Sequence, residues 1–102
     1  MTGLTRARVV GAHAMISEIR LSAGCRVPRH AHANEQMACV ITGRMQFEVG
    51  DASHSRTCVI TAGEVLHLPP NVPHSAEALE DSVVLDVFSP PSEETGIDRS
   101  EP

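Results

Sequence analysis

Apolar and polar residues alternate with period two along much of this chain, and Gly, Pro or Asp interrupts the pattern every 6 to 12 residues. Successive side chains of a strand point to opposite faces, so the pattern describes short strands with one face turned to a core. Met15, Ser17, Ile19 and Leu21 occupy alternate positions of one run, and Met37 to Thr42 is a second run that ends at Gly43. Met45, Phe47 and Val49 alternate with Gln46 and Glu48 before a Gly50–Asp51 turn. Cys58 to Thr61 and Val65 to Leu68 flank Gly63, and Val83 to Phe88 is the most apolar run. No stretch holds a helical period over three turns. Strands of this length and spacing predict an all-β sandwich or barrel.

At 102 residues the chain has room for one core and no second folding unit. The reading is an N-terminal arm or edge strand over residues 1–10, a β-barrel over 11–90 and a polar acidic tail over 91–102. The tail follows from the Pro-rich, polar turn of composition after Ser89. Seven Arg face four acids in residues 1–56, whereas Arg99 alone faces nine acids in 57–102, for a net charge of -5. That balance argues against a nucleic acid partner, which needs a basic face. The absence of Lys removes Schiff-base chemistry, and with no Trp or Tyr, stacking platforms are scarce. No apolar run reaches signal-peptide or membrane length, so the expectation is a cytoplasmic protein with no membrane partner. Cys25, Cys39 and Cys58 form no CxxC pair and are expected to be reduced, mostly buried thiols. Open barrel edges call for cover, which makes a homodimer the expected assembly.

Chemistry concentrates in the histidines. His30 and His32 are two apart, so on one strand both imidazoles face the same way, about 7 Å apart at the backbone. Gln36 shares their parity if that strand continues. In the second group a Pro-rich turn, Pro69-Pro70-Asn71, precedes His74, which would add a third imidazole from a rigid support. Three imidazoles at these spacings predict a metal site. His13, His54 and His67 are not assigned as ligands, and Glu35 is expected to point away from the site.

These residues resemble the cupin superfamily. The first family pattern, G-x5-H-x-H-x3,4-E-x6-G, is met by Gly24, His30, His32 and Gly43, with Gln36 in place of the Glu. The second, G-x5-P-x-G-x2-H-x3-N, is met by Gly63, Pro69 and His74, with Asn71 for Gly and Ala78 for the last Asn. The resemblance implies a double-stranded β-helix, or jelly-roll, with one divalent transition metal (Ni, Zn, Mn or Fe) held by His30, His32, Gln36 and His74. The run His30-Ala31-His32-Ala33-Asn34-Glu35-Gln36 is further similar to small pectin-degradation cupins, which linearise unsaturated uronates. That similarity extends to Asp86 and Phe88, making Asp86 the candidate catalytic acid or base and Phe88, with Ala38 and Met45, the candidate substrate pocket. Ser92 stands where that group carries an Arg suited to a carboxylate, for which Arg20, Arg29 or Arg44 are the possible substitutes.

Four neutral donors leave the charge of a divalent ion uncompensated, which favours Lewis-acid work. The expected function is an isomerase or lyase acting on a small oxygenated acid (hydroxy, keto or uronate-like). The alternatives are a metal-dependent dioxygenase and a non-catalytic metal- or ligand-binding cupin.

Overall fold

The computed structural model describes residues 2–91, and every regular element among them is a strand. The strands are β1 (Leu4–Val10), β2 (Met15–Leu21), β3 (Arg26–His30), β4 (Glu35–Thr42), β5 (Arg44–Gly50), β6 (Ser55–Thr61), β7 (Val65–Leu68), β8 (His74–Ala78) and β9 (Ser82–Ser89). They form a five-stranded sheet in the order β1-β2-β9-β4-β7 and a four-stranded sheet in the order β3-β8-β5-β6. All pairings are antiparallel, and the two inner faces share one core. The fold is the expected all-β jelly-roll.

Alternation translates directly into burial. Met15, Ser17, Ile19 and Leu21 of β2 face the core, as do Met45, Phe47 and Val49 of β5. Phe88, Ile19 and Leu68 are wholly buried, and each such side chain stabilises the fold by about 1.5–3 kcal/mol. β9 lies between β2 and β4, with Val84 and Phe88 inward and Val83, Leu85 and Val87 outward, which is why its sequence reads apolar throughout. Gly43 joins β4 to β5 at φ 91°, where a Cβ would lie 2.2 Å from Ser82 Oγ and 2.4 Å from the Asp81 carbonyl. Only glycine fits there.

Several strands extend beyond their alternating runs. β4 begins at Glu35 and β6 at Ser55, because backbone pairing with Ser89 and Gly50 continues where the side chains turn polar. β1 pairs with β2 over its whole length and forms the sheet edge. β3 carries Pro28, tolerated because β3 is also an edge strand, and its register shifts between Val27 and His30. Of the three free thiols only Cys25 is buried; Cys39 and Cys58 are half-buried at sheet positions facing out or near an edge. Ser92 and the acidic tail lie outside the described residues, apart from Pro91.

Candidate metal centre

His30 is the last residue of β3 and His74 the first of β8, and they are register partners across that pairing. His32 is not on a strand. The β3–β8 ladder ends at His30, so nothing holds the chain extended beyond it, and residues 31–34 cross to the opposite sheet. Gln36 therefore sits on β4 of the five-stranded sheet, between Leu68 of β7 and Phe88 of β9. The shared-strand geometry expected for His30, His32 and Gln36 is corrected: these side chains converge because the two sheets face each other.

Backbone bonds fasten the crossing. Asn71 N donates to the His32 carbonyl at 2.8 Å, which ties the Pro-rich turn to the connection. Asn71 has φ 65°, so it takes the left-handed conformation for which the family pattern uses glycine. Asn34, buried in the same connection, donates from Nδ2 to the Pro90 carbonyl at 2.5 Å. Sequence reasoning passed over Asn34; the available signal was the habit of Asn to bond backbone groups in short connections.

The three imidazoles lie with ring centroids 4.5 to 5.5 Å apart, and one ring nitrogen from each falls within 4.8 Å of the others. Each Nδ1 donates to a nearby carbonyl: His30 to Pro28 at 2.8 Å, His32 to Asn34 at 2.9 Å, His74 to Val72 at 3.0 Å. A carbonyl only accepts, so Nδ1 carries the hydrogen and Nε2 of each neutral ring keeps its lone pair. Burial lowers the pKa of His74 to about 4, against the opposing pull of the Val72 carbonyl, and the neighbouring His30 and His32 lower it further. Burial likewise lowers His30, opposed by the Pro28 carbonyl and assisted by His32. Both rings are neutral at pH 7 and ready as ligands.

Two observations show that a cation fits. His74 Nε2 is buried with no hydrogen-bond partner. His32 Nε2 lies 3.1 Å from Gln36 Oε1, which brings two acceptors together with no hydrogen between them. A positive ion satisfies all of these atoms at once, and imidazole nitrogens with an amide oxygen suit divalent first-row metals.

Beside the cluster is a cavity of about 30 Å³, room for roughly two waters. His30, Gln36, His74 and Asp86 line it together with apolar side chains that include Ile19, Met45, Phe47 and Val84. Asp86 is 3% exposed on β9, flanked by Ser17 of β2 and Ala38 of β4. Of the three residues expected to form a substrate pocket, Met45 lines this cavity. Ala38 is wholly buried in the core, between Asp86 and Leu66 on the neighbouring strands. Phe88 is buried with its ring 5.7 Å from that of His32 at 70°, an edge contact that orients the imidazole.

The arginines considered for carboxylate binding face away. Arg20 pairs with Glu18 at 3.2 Å, Arg44 with Glu80 at 3.0 Å, and Arg29 with Glu48 and the Gly50 carbonyl. None lines the cavity, because each occupies an outward position or a surface turn of its strand. Glu35 also points outward, its Oε2 2.6 Å from His67 Nε2, and His13 and His54 are exposed.

Comparison with known proteins agrees with this architecture. Residues 17–88 match the family model described as the Cupin domain. The chain belongs to the cupin family. Among solved structures, this cupin is similar to an RmlC-like cupin from Shewanella frigidimarina NCIMB 400, at 28% identity and a TM-score of 0.83 over 92% of this chain and 82% of that one. It is similar to KdgF from Halomonas sp. at 26% identity and a TM-score of 0.80, covering 92% of this chain and 86% of that one. Its fold also matches Bacillus subtilis oxalate decarboxylase, a protein with Mn(II) centres, at 24% identity and a TM-score of 0.83 over 91% of this chain and 27% of that one. No curated protein matches the sequence.

Proposed function

We propose that this cupin is a metal-dependent isomerase or lyase acting on a small oxygenated acid. The observation that carries the reading is the convergence of three imidazoles and an amide oxygen beside a cavity that the buried Asp86 carboxylate also lines. His30, His32, His74 and Gln36 would hold one divalent ion, which supplies Lewis-acid polarisation of a carbonyl or hydroxyl oxygen. Because all four donors are neutral, they leave that polarising charge undiminished.

Asp86 is the proton carrier. Its carboxylate is 3% exposed and lines the cavity among apolar side chains beside His30 and His74, within reach of an acid held at the site. Ile19, Met45, Phe47 and Val84 supply the apolar part of the cavity wall beside Asp86. The described residues lining the cavity include no cationic side chain, so recognition of a second carboxylate by guanidinium is not built into the wall. This favours a small hydroxy or keto acid, or a uronate-like acid with one carboxylate, over a diacid. The resemblance of the His30–Gln36 run, Asp86 and Phe88 to the small pectin-degradation cupins supports the uronate-like member of this class.

Protein purified without chelator or His tag should carry one divalent metal per chain. Asp86→Asn should retain that metal and the wild-type melting temperature while turnover on a hydroxy-, keto- and uronic-acid panel falls by about a hundredfold or more. Unchanged turnover would remove Asp86 from the mechanism. Turnover only in the presence of oxygen would replace this reading with a dioxygenase, and tight binding of an acid without turnover would replace it with a binding protein.

A further inference from the structure

The three imidazoles of the cluster are not equally supported. His30 and His74 are register partners on β3 and β8, and each ring donates to a carbonyl two residues earlier in its own segment, Pro28 or Val72. His32 lies between β3 and β4 with no ladder of its own, and its Nδ1 reaches forward at 2.9 Å to the carbonyl of Asn34 in the same connection. The Asn71 amide holds the His32 main chain, but a main-chain bond leaves the ring free to turn about its side-chain torsions. The ring is therefore only as well placed as the Asn34 carbonyl. Asn34 is 7% exposed, and its position against β9 explains the burial of so polar a residue. β4 and β9 run antiparallel with Glu35 opposite Ser89, so the next pair along would be residues 34 and 90. Residue 90 is proline and has no amide hydrogen to give the Asn34 carbonyl. That carbonyl accepts from His32 instead, and the Asn34 side chain closes the pairing by donating from Nδ2 to the Pro90 carbonyl at 2.5 Å.

We propose that Asn34 is the positioning residue for His32, keeping the hydrogen of that ring on Nδ1 and its Nε2 lone pair turned to the cluster. The proposal rests on the reading of the cluster as a metal centre and says how one ligand of that centre is held. One residue does two things at once: its main chain takes the imidazole hydrogen, and its side chain clamps that main chain to the end of β9. β9 then supports His32 from two places, the edge of the Phe88 ring 5.7 Å away and the Pro90 carbonyl acting through Asn34. The same strand carries Asp86 two residues before Phe88. A single strand thus places both the carboxylate and the least supported ligand, which fixes one relative to the other. The amide is the group the position requires, since it donates to a carbonyl whatever the pH, and outer partners of this kind orient ligand imidazoles.

Two measurements on the full chain test this, with Asn34→Ala and with Asn34→Leu, which keeps the size of the side chain without its amide. Nitrogen-15 spectra of the histidine rings in metal-free protein, at about pH 8 where imidazole carries one hydrogen, report the tautomer directly. Wild-type His32 should show hydrogen on Nδ1 alone. Both variants should show a mixture at His32, while His30 and His74 keep theirs. Titration with Co²⁺ should show binding weakened by about tenfold in each variant. In a His32→Ala background the same Asn34 changes should leave Co²⁺ affinity where His32→Ala alone puts it, because the residue acts through that ring. A single His32 tautomer in both variants overturns the proposal. So does an equal further loss of affinity in the His32→Ala background, which would make Asn34 a support of the fold at large. Wild type that binds no Co²⁺ would defeat the metal reading instead, and the His32 tautomer would still decide the role of Asn34.

Discussion

His30, His32 and His74 bring their rings within 5.5 Å of one another, while His13, His54 and His67 sit apart on the surface. The instructive pair is His74 and His67. His74 is buried, its Nδ1 bonded to the Val72 carbonyl and its Nε2 aimed into the cluster without a partner. His67 lies on the outer face of β7, and its Nε2 is taken by the Glu35 carboxylate. One environment keeps a neutral ring with a lone pair available. The other occupies the same nitrogen with a carboxylate 2.6 Å away. The residue type is identical, so what sets the candidate ligand apart is a carbonyl behind the ring and two further imidazoles in front of it.

The strongest way to break this contrast is His74→Ala. Metal content should fall from one per chain to less than about a tenth, read by elemental analysis, because the site loses the most buried of its three imidazoles. Full retention of metal would mean that the cluster is not the site.

Acid titration of the metal-free protein sharpens the comparison further. An unfolded histidine titrates near 6.5 and His74 in the fold near 4, so between these values the unfolded chain binds the proton that the folded chain refuses. Stability is therefore full above about pH 6.5 and declines as pH falls toward 4. His30, shifted in the same direction, adds to the slope. Asp51 and Glu64, whose carboxylates are held below their ordinary values by amides of His54 and Thr61, lose their contributions only at more acid pH. Urea midpoints measured from pH 7.5 to 4.5 should fall for the wild-type apoprotein and fall less for His74→Asn. A flat wild-type profile would contradict the burial of these rings.

The smallest effect belongs to the surface member. His67→Ala removes a solvent-exposed ion pair with Glu35 and should change stability by no more than about 0.5 kcal/mol, with metal content unaltered. Loss of metal in this variant would erase the distinction between the two groups.

The legible and illegible parts of the molecule separate along the same physical line. β2, β5 and β7 were readable because alternation is a local property of a strand with one buried face. The cluster residues were readable from motif spacing, yet the geometry inferred for them failed at His32 and Gln36. Parity along one strand cannot reveal where a ladder runs out, and here it runs out at His30. That Ala38 is wholly buried between Asp86 and Leu66 is not legible locally, since those neighbours come from strands far away in the chain. Asn34 went unmarked because its partner, the Pro90 carbonyl, is equally remote.

Taken by itself, the sequence determined the strand period, the single domain and the kinds of side chain available for chemistry: imidazole, amide and carboxylate, without Lys, Trp or Tyr. These follow from composition and from the two-residue repeat of an extended backbone. The tertiary structure decided which of the six histidines meet, which sheet supplies Gln36 and Asp86, and which strand end fastens Asn34. Those outcomes depend on hydrogen-bonded pairing between segments distant in the chain and on the approach of two sheets over one core. No local pattern encodes where such surfaces come together.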